Sequence, residues 1–175
     1  EELMDAVFSS LAEKHGSFYR ARQKGFAFIP PDRHEEGLLL PFSNGTNLIF
    51  GHHREAIYQK YSQLYPQHYY PKVSPLLTQF HIEPPEIEKP AQTLSGGNQQ
   101  KLMIARETHT VPFFLLASQP TRGVDRGAMD FIHQHFFDLS AQGTGILVLS
   151  SDLDELLTLS DRIAVIRDKK IREVR

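Results

Sequence analysis

The sequence predicts an α/β fold, with a mostly parallel core sheet into which a helical lobe is inserted. Three observations lead there. Phe113-Phe-Leu-Leu-Ala117 and Ile146-Leu-Val-Leu149 are short continuous apolar runs, as expected of parallel strands covered on both faces. Between them Met129, Ile132, Phe136, Phe137 and Leu139 recur at roughly helical spacing. Strand, helix and strand in that order form a βαβ unit with a right-handed crossover. From Ser43 to Phe80 the composition shifts toward Tyr, Gln and His and is punctuated by proline, which sets a helical lobe apart from the strand-forming remainder.

Taken in order, residues 2–13 place Leu3, Met4, Val7, Phe8 and Leu11 on one stripe, the pattern of a surface helix packed on a core. Gly25-Phe-Ala-Phe-Ile29 reads as a strand, stopped by Pro30-Pro31 because proline cannot continue a central ladder, and a polar loop follows from Asp32 to Gly37. The lobe shows helical patches near 44–50, 54–64 and 73–80, interrupted at Pro66, Pro71 and Pro75. Pro84-Pro85 and Pro90 mark a loop. A helix over 127–140 ends at Gly143 and Gly145, and Ser151 opens another with Asp154 three residues on, in the manner of a capping box. Ile163-Ala-Val-Ile166 and Ile171–Val174 close the chain as a strand pair.

Composition narrows the function classes. At 175 residues and 20.0 kDa the chain suits one well-buried domain, with room for a small second lobe. A formal charge of -2 and a pI near 6.5 supply no clustered basic surface, so a nucleic-acid partner is not expected. The absence of cysteine removes disulfides and thiolate metal sites and fits a reducing compartment. No apolar run approaches the ~20 residues of a membrane-spanning helix. His52-His53 and His133-Gln-His135 invite a metal reading, but neighbours at i,i+1 or i,i+2 do not share a helix face, and no His-Glu-x-x-His spacing occurs. No metal site is expected from them. Tyr58, Tyr61, Tyr65, Tyr69 and Tyr70 read as lobe packing rather than a platform for bases.

The most informative segment is Leu94-Ser-Gly-Gly-Asn-Gln-Gln-Lys101. It is a Ser-Gly-Gly turn running into a polar helix start, where glycine permits close approach of an anion and the helix offers free N–H groups and the positive end of its dipole. Pro120-Thr-Arg-Gly-Val-Asp125, Leu149-Ser-Ser-Asp152 and Ser160-Asp-Arg-Ile163 follow it. In that order and spacing these segments resemble the nucleotide-binding domain of an ABC transporter. The variant is similar to the second ATP-binding domain of the fused, two-domain subunits of sugar and nucleoside importers. Ile29-Pro-Pro-Asp-Arg33 with Gly37-Leu38 resembles the same subfamily's loop after the first long core strand.

The resemblance implies a P-loop NTPase-like ABC ATPase core. Residues 1–41 and 106–175 would form the discontinuous, incomplete core subdomain, and 42–105 a helical subdomain ending in the signature. It further implies that Leu94, Ser95, Gly96, Gly97, Asn98 and Gln99 meet an ATP held, with Mg²⁺, by a different nucleotide-binding domain across a head-to-tail interface. Gly123, Val124 and Asp125 match the loop that crosses that interface, and Arg122 beside them either pairs with a partner carboxylate or stands solvated. Membrane permease subunits would meet the helical subdomain, largely between Pro41 and Leu77, at the cytoplasmic face of the membrane.

Departures from the family pattern are as informative. The phosphate loop Gly-x-x-x-x-Gly-Lys-Ser/Thr is absent, and Glu1–Ala6 looks like the helix that follows it, so the sequence is expected to start just downstream. The antiparallel β-subdomain looks missing or much reduced between Leu11 and Gly25. Where the family carries Asp-Glu at a strand end, this chain has Ser118-Gln119. The switch histidine maps to Ser151 and the loop glutamine to Pro31. Ser is uncharged and Gln cannot accept a proton, so neither organises Mg²⁺ or polarises water as a carboxylate does. The chain alone is therefore expected to be inactive. Its alternatives are an importer ATPase half that completes a partner's site, or a non-catalytic binding or scaffold module, including a truncated gene product.

Overall fold

The computed structural model of the chain describes residues 18–167 and 170–173. The helix expected over 2–13 lies outside them, as do residues 11–17 of the segment between Leu11 and Gly25. Helix α1 (Phe18–Gln23) leads into β1 (Phe26–Ile29), and Pro30-Pro31 end that strand. The loop expected from Asp32 to Gly37 is a single π-type turn, Arg33–Gly37, whose first amides are met by Asp32 Oδ1, accepting from His34 N at 2.8 Å and Glu35 N at 3.1 Å.

The lobe begins with α2 (Asn44–Ile49), capped by Ser43, which accepts from Thr46 N. Asn47 is fully buried inside it and spans the turn before it. Its Oδ1 accepts from Leu39 N at 2.8 Å, and its Nδ2 donates to the carbonyls of Leu39, Phe42 and Ser43 at 3.0–3.2 Å. The helix expected over 54–64 is not there. The segment forms a hairpin of β2 (Gln59–Lys60) and β3 (Gln63–Leu64), turned by Tyr61 and Ser62 at φ 52° and 61°. Two consecutive residues in the left-handed region make a turn whose twist matches paired strands, which overrides the helical look of the composition.

Pro71 and Pro75 also act differently from expectation. They sit inside one continuous helix, α3 (Pro66–Gln79), with Pro66 at its first turn. Tyr69, Val73 and Leu77, four residues apart, are each at most 4% exposed, so burial of that stripe holds the helix together across the missing N–H donors. A short 3₁₀ turn (Ala91–Thr93) then delivers the chain to α4 (Gly96–Thr108).

The core sheet is parallel, in order β1–β4–β5, with β4 (Phe114–Ser118) in the centre and β5 (Gly145–Leu149) beyond it. Ile29 stands opposite Ala117, and Ser118 opposite Leu149, so all three strands end at one edge of the sheet. Leu115, Leu116 and Ala117 are buried, as the apolar run requires. Helix α5 (Arg126–Ala141) makes the crossover and buries Ala128, Ile132, Phe136 and Leu139, while Phe137 faces outward. Gly143, at φ 94°, closes α5 in the left-handed conformation that glycine takes without penalty. Helix α6 (Leu153–Leu159) is capped by Asp152, not Ser151, because its carboxylate reaches the amides of both Asp154 and Glu155. The expected strand pair is the antiparallel hairpin of β6 (Ala164–Arg167) and β7 (Lys170–Glu173).

Helix α4 runs through the middle of the molecule. Leu102, Met103, Ile104 and Ala105 have no exposed surface, and the helix packs on α2, α3, α5 and β1, so sheet and lobe share one apolar core. Its N-terminus therefore projects from the best-packed part of the chain.

Candidate functional site

Ser95 caps α4 with extended backbone (φ −63°, ψ 158°), and its Oγ accepts weakly from Asn98 N at 3.4 Å. The first amides of the helix have no acceptor within it, so Gly96 and its neighbours present donors at the positive end of a 13-residue dipole. Leu94 is buried beneath the turn, while Ser95 is exposed. The Asn98 side chain donates to Glu83 O at 2.7 Å and Ser95 Oγ at 3.2 Å, tying the turn to the proline loop. Gln99 does not reach the open face. It is 6% exposed, its Nε2 donates to Ala91 O and Leu94 O, and its Oε1 lies 2.9 Å from His34 Nε2.

The structure brings the second candidate loop against this turn. Gln100 Nε2 donates to Pro120 O at 2.7 Å, and Asp125 caps α5 by accepting from Ala128 N at 3.0 Å. A Cβ on Gly97 would stand 2.6 Å from Asp125 Oδ2, so the carboxylate lies directly over that glycine. Hydrogen bonds from backbone amides, chiefly that of Ala128, hold the Asp125 carboxyl below its ordinary pKa. Gly123 and Asp125 are exposed beside Ser95, with Gly123 at φ 68°. Ser95, Gly96, Gly123 and Asp125 thus share one surface. Sequence reasoning did not pick out Gln100 or Arg33 as the braces of that surface. Arg33 lay within a quoted segment, but no local pattern signals a contact made 89 residues away.

The four positions expected to be degenerate gather at the sheet edge where β1, β4 and β5 end. Ser118 closes β4 and is buried. Gln119 takes φ 49°, its N–H bonds Leu149 O at 2.7 Å, and its side chain faces Ser151 Oγ at 3.3–3.4 Å. Pro31 leaves β1 at the same edge. Ser118, Gln119, Ser151 and Pro31 provide no carboxylate and no imidazole. Mg²⁺ prefers carboxylates in near-ideal octahedral geometry, and these four do not fit it. The signature turn does fit a phosphate, through the free amides of the helix start and the exposed Ser95 hydroxyl.

The histidines are engaged separately. His52 Nε2 meets Arg22 at 2.9 Å and its Nδ1 meets Glu55 at 2.6 Å, whereas His133 faces Glu155 at 3.4 Å and His135 faces Thr108 Oγ1 at 2.8 Å. Among the described residues no group of three or more His, Cys, Asp or Glu side chains is arranged to hold a metal. Tyr58 and Tyr69 are buried, and Tyr69 and Tyr70 bond to Thr46 and Ser43 of the lobe, while Tyr61 is 85% exposed. A cleft of about 370 Å³ opens between β1 and the end of α2, lined by Phe28, Pro30, Phe50 and Arg54 and bordered by Arg106 and Glu107.

A parallel sheet, a crossover helix and a buried helix that presents a Ser-Gly-Gly turn give the chain the fold of an ABC-type nucleotide-binding domain. The ADP conformation of MJ1267, an ATP-binding cassette of an ABC transporter, is similar to it with a TM-score of 0.69, over 91% of this chain and 64% of that one, at 22% identity. The chain is 40% identical over 149 residues to the guanosine import ATP-binding protein NupO of Bacillus subtilis (strain 168), covering 85% of itself and 29% of the relative. It is 37% identical over 152 residues to the nucleoside import ATP-binding protein NupA of Lactococcus lactis subsp. cremoris (strain MG1363), covering 87% and 30%. With the ribose import ATP-binding protein RbsA of Geobacillus kaustophilus (strain HTA426) it shares 31% over 188 residues, covering 99% and 37%. No protein-family model matches it. The chain belongs to the nucleotide-binding domains of ABC transporters, and it spans about a third of the length of these curated relatives.

Proposed function

We propose that the chain is part of the ATP-binding subunit of an importer for a sugar or nucleoside, and that it offers its signature turn to an ATP bound with Mg²⁺ by another nucleotide-binding domain. The observation that carries this reading is the asymmetry of the two candidate surfaces. Around Ser95 the amides, the hydroxyl and the neighbouring Gly123–Asp125 loop form one exposed face, which suits recognition of a phosphate in trans. At the strand ends Ser118, Gln119 and Ser151 supply no general base and no metal ligand of the usual kind, so hydrolysis belongs to the partner's groups. In this reading Ser95, Gly96, Gly97 and Asn98 approach the terminal phosphate, and Gly123, Val124 and Asp125 cross the interface.

The lobe would meet the permease subunits at the cytoplasmic face of the membrane. Its outer surface supports this, because Phe42, Phe50, Ile57 and Tyr61 are each more than 40% exposed, an apolar display that a protein partner would cover. ATP-driven closure of two such domains, transmitted through the lobe, would couple turnover to transport.

Transport by the assembled importer carrying Ser95→Arg tests the reading. A bulky cation in the phosphate approach should lower the rate at least about tenfold, the scale of losing a preorganised donor set. Undiminished transport would mean that the signature is not used in trans and would favour the other reading, a scaffold module that keeps the fold without serving an ATP site. The lack of a carboxylate at Ser118-Gln119 is what supports that second reading.

A further inference from the structure

Both signature glycines make room for side chains of this same chain. A Cβ on Gly97 would collide with Asp125, and one on Gly96 would stand 2.9 Å from Nη2 of Arg33 and 3.4 Å from Gly123 O. The Arg33 guanidinium thus lies in the notch that Gly96 leaves. Its Nη1 donates to Arg122 O at 3.0 Å, and both Nη atoms lie 3.8 Å from where a Cβ on Gly123 would be. Its Nε is enclosed and has no hydrogen-bond partner, so the group is held by its packed position between two loops and by one bond at its tip.

The base of Arg33 is fixed as firmly. Asp32 caps the turn that Arg33 opens, His34 Nε2 meets Gln99 Oε1 at 2.9 Å, and Arg106 Nη1 donates to Gly37 O at 2.7 Å. The turn Arg33–Gly37 is therefore bolted to α4 at two places, and from that anchorage the side chain reaches across to Arg122 and Gly123. A planar, forked cation suits this wedge; a lysine could reach the Arg122 carbonyl but could not fill the notch.

We propose that Arg33 is a positioning residue that holds the Gly123–Asp125 loop in register with the signature turn, so that the two form one rigid surface toward the partner's nucleotide. The structural half of this inference rests on geometry alone, and its functional half rests on the reading under Proposed function.

Arg33→Ala, Arg33→Gln and Arg33→Lys test it in the protein as it occurs in its transporter. Amide hydrogen exchange reads the structural half at Asn98, Gln99, Arg122 and Val124, whose N–H groups bond Ser95 Oγ, Ser95 O, Gln119 O and Thr121 O. Exchange there should rise about tenfold in Arg33→Ala and Arg33→Gln while the interior of α4 is unchanged, with Arg33→Lys restoring less than half. ATP turnover of the transporter reads the functional half: kcat should fall about tenfold while KM moves less than about threefold, as for an interaction made in the closed state. Unchanged exchange overturns the positioning role. Faster exchange with unchanged turnover, in a transporter that Ser95→Arg still disables, overturns the functional half. If Ser95→Arg is also silent, faster exchange still upholds Arg33 as a brace, and it is the trans reading of the signature that falls.

Discussion

Removing Glu107 should be among the costliest single changes in this chain. Its side chain is fully enclosed and serves two guanidinium groups at once. Oε2 lies 2.8 Å from Arg22 Nη1, and Oε1 lies 2.7 Å from Arg106 Nε and 3.1 Å from Arg22 Nη2. The arginines are themselves little exposed, at 14% for Arg22 and 5% for Arg106. Glu107→Ala leaves two buried cations without the carboxylate between them, and breaking a buried pair in this way costs about 3–5 kcal/mol. Glu107→Gln keeps the shape and one carbonyl acceptor, so its cost should be nearer to one or two charge-assisted hydrogen bonds, about 2–3 kcal/mol. Urea unfolding followed by circular dichroism measures both. With a slope of about 1–3 kcal/mol per molar, the Glu107→Ala midpoint should drop by at least about 1 M. Burial works to raise the Glu107 pKa, but Arg106 and Arg22 outweigh it and hold the carboxyl below the ordinary glutamate value. Its stabilisation is therefore complete above the unfolded-state pKa and is lost as pH falls through the lower folded value, so Glu107→Gln should flatten the acid limb of the stability curve. A loss below about 1 kcal/mol for Glu107→Ala would refute the reasoning, since it would mean that water already satisfies the arginines.

Two further outcomes follow from the same physics. Asn47→Ala should cost about 1–3 kcal/mol, because it leaves the Leu39 amide without its acceptor and removes one of the two donors that meet each of the carbonyls of Leu39, Phe42 and Ser43, and faster amide exchange at Leu39 should accompany the loss in urea unfolding. Acidification through pH ~6.5 should destabilise the chain. Burial holds the imidazoles of His52 and His135 below their ordinary pKa, so the unfolded chain binds protons that the folded one refuses. Unfolding measured between pH 7 and 5 should show a slope that His52→Gln with His135→Gln reduces.

What the sequence revealed and what it hid divide by the range of the interactions. The strand runs at 113–117 and 146–149 and the crossover helix between them were legible because their signal is periodicity, a local property that the core merely uses. The 54–64 segment misled because Tyr61 and Ser62 form a left-handed turn without the glycine or asparagine that normally announces one. Pro71 and Pro75 misled in the other direction. Their local penalty is real, but the buried stripe Tyr69, Val73 and Leu77 offsets it with tertiary contacts that no window of the sequence contains. At the end of β5, Asp152 displaced Ser151 as the cap because its carboxylate reaches two amides at once. The motifs around Ser95 and Asp125 were visible as separate strings. That Arg33, Gln99 and Gln100 join them was not, because each contact links segments distant along the chain.

These braces change what the signature can be taken to mean. Gly97 accommodates Asp125 and Gly96 accommodates Arg33, so both glycines serve the chain's own packing whether or not a phosphate ever approaches, Gly97 the more strictly because Ala128 crowds it as well. A Gly97→Ala variant would collide with Asp125 and with Ala128, and lost transport in it would report only a displaced loop. Asn98 and Gln99 are likewise occupied in bonds within the chain. Ser95 differs from them. It is exposed, among the described residues its hydroxyl accepts only from Asn98, and an N-cap serine replaced by arginine should cost the helix about 1 kcal/mol rather than its fold. A charged side chain there projects toward solvent, where the partner's nucleotide would stand. Ser95 is therefore the position at which the demands of folding and of a phosphate in trans separate most cleanly, and a loss of transport in a folded Ser95→Arg protein can be assigned to the second.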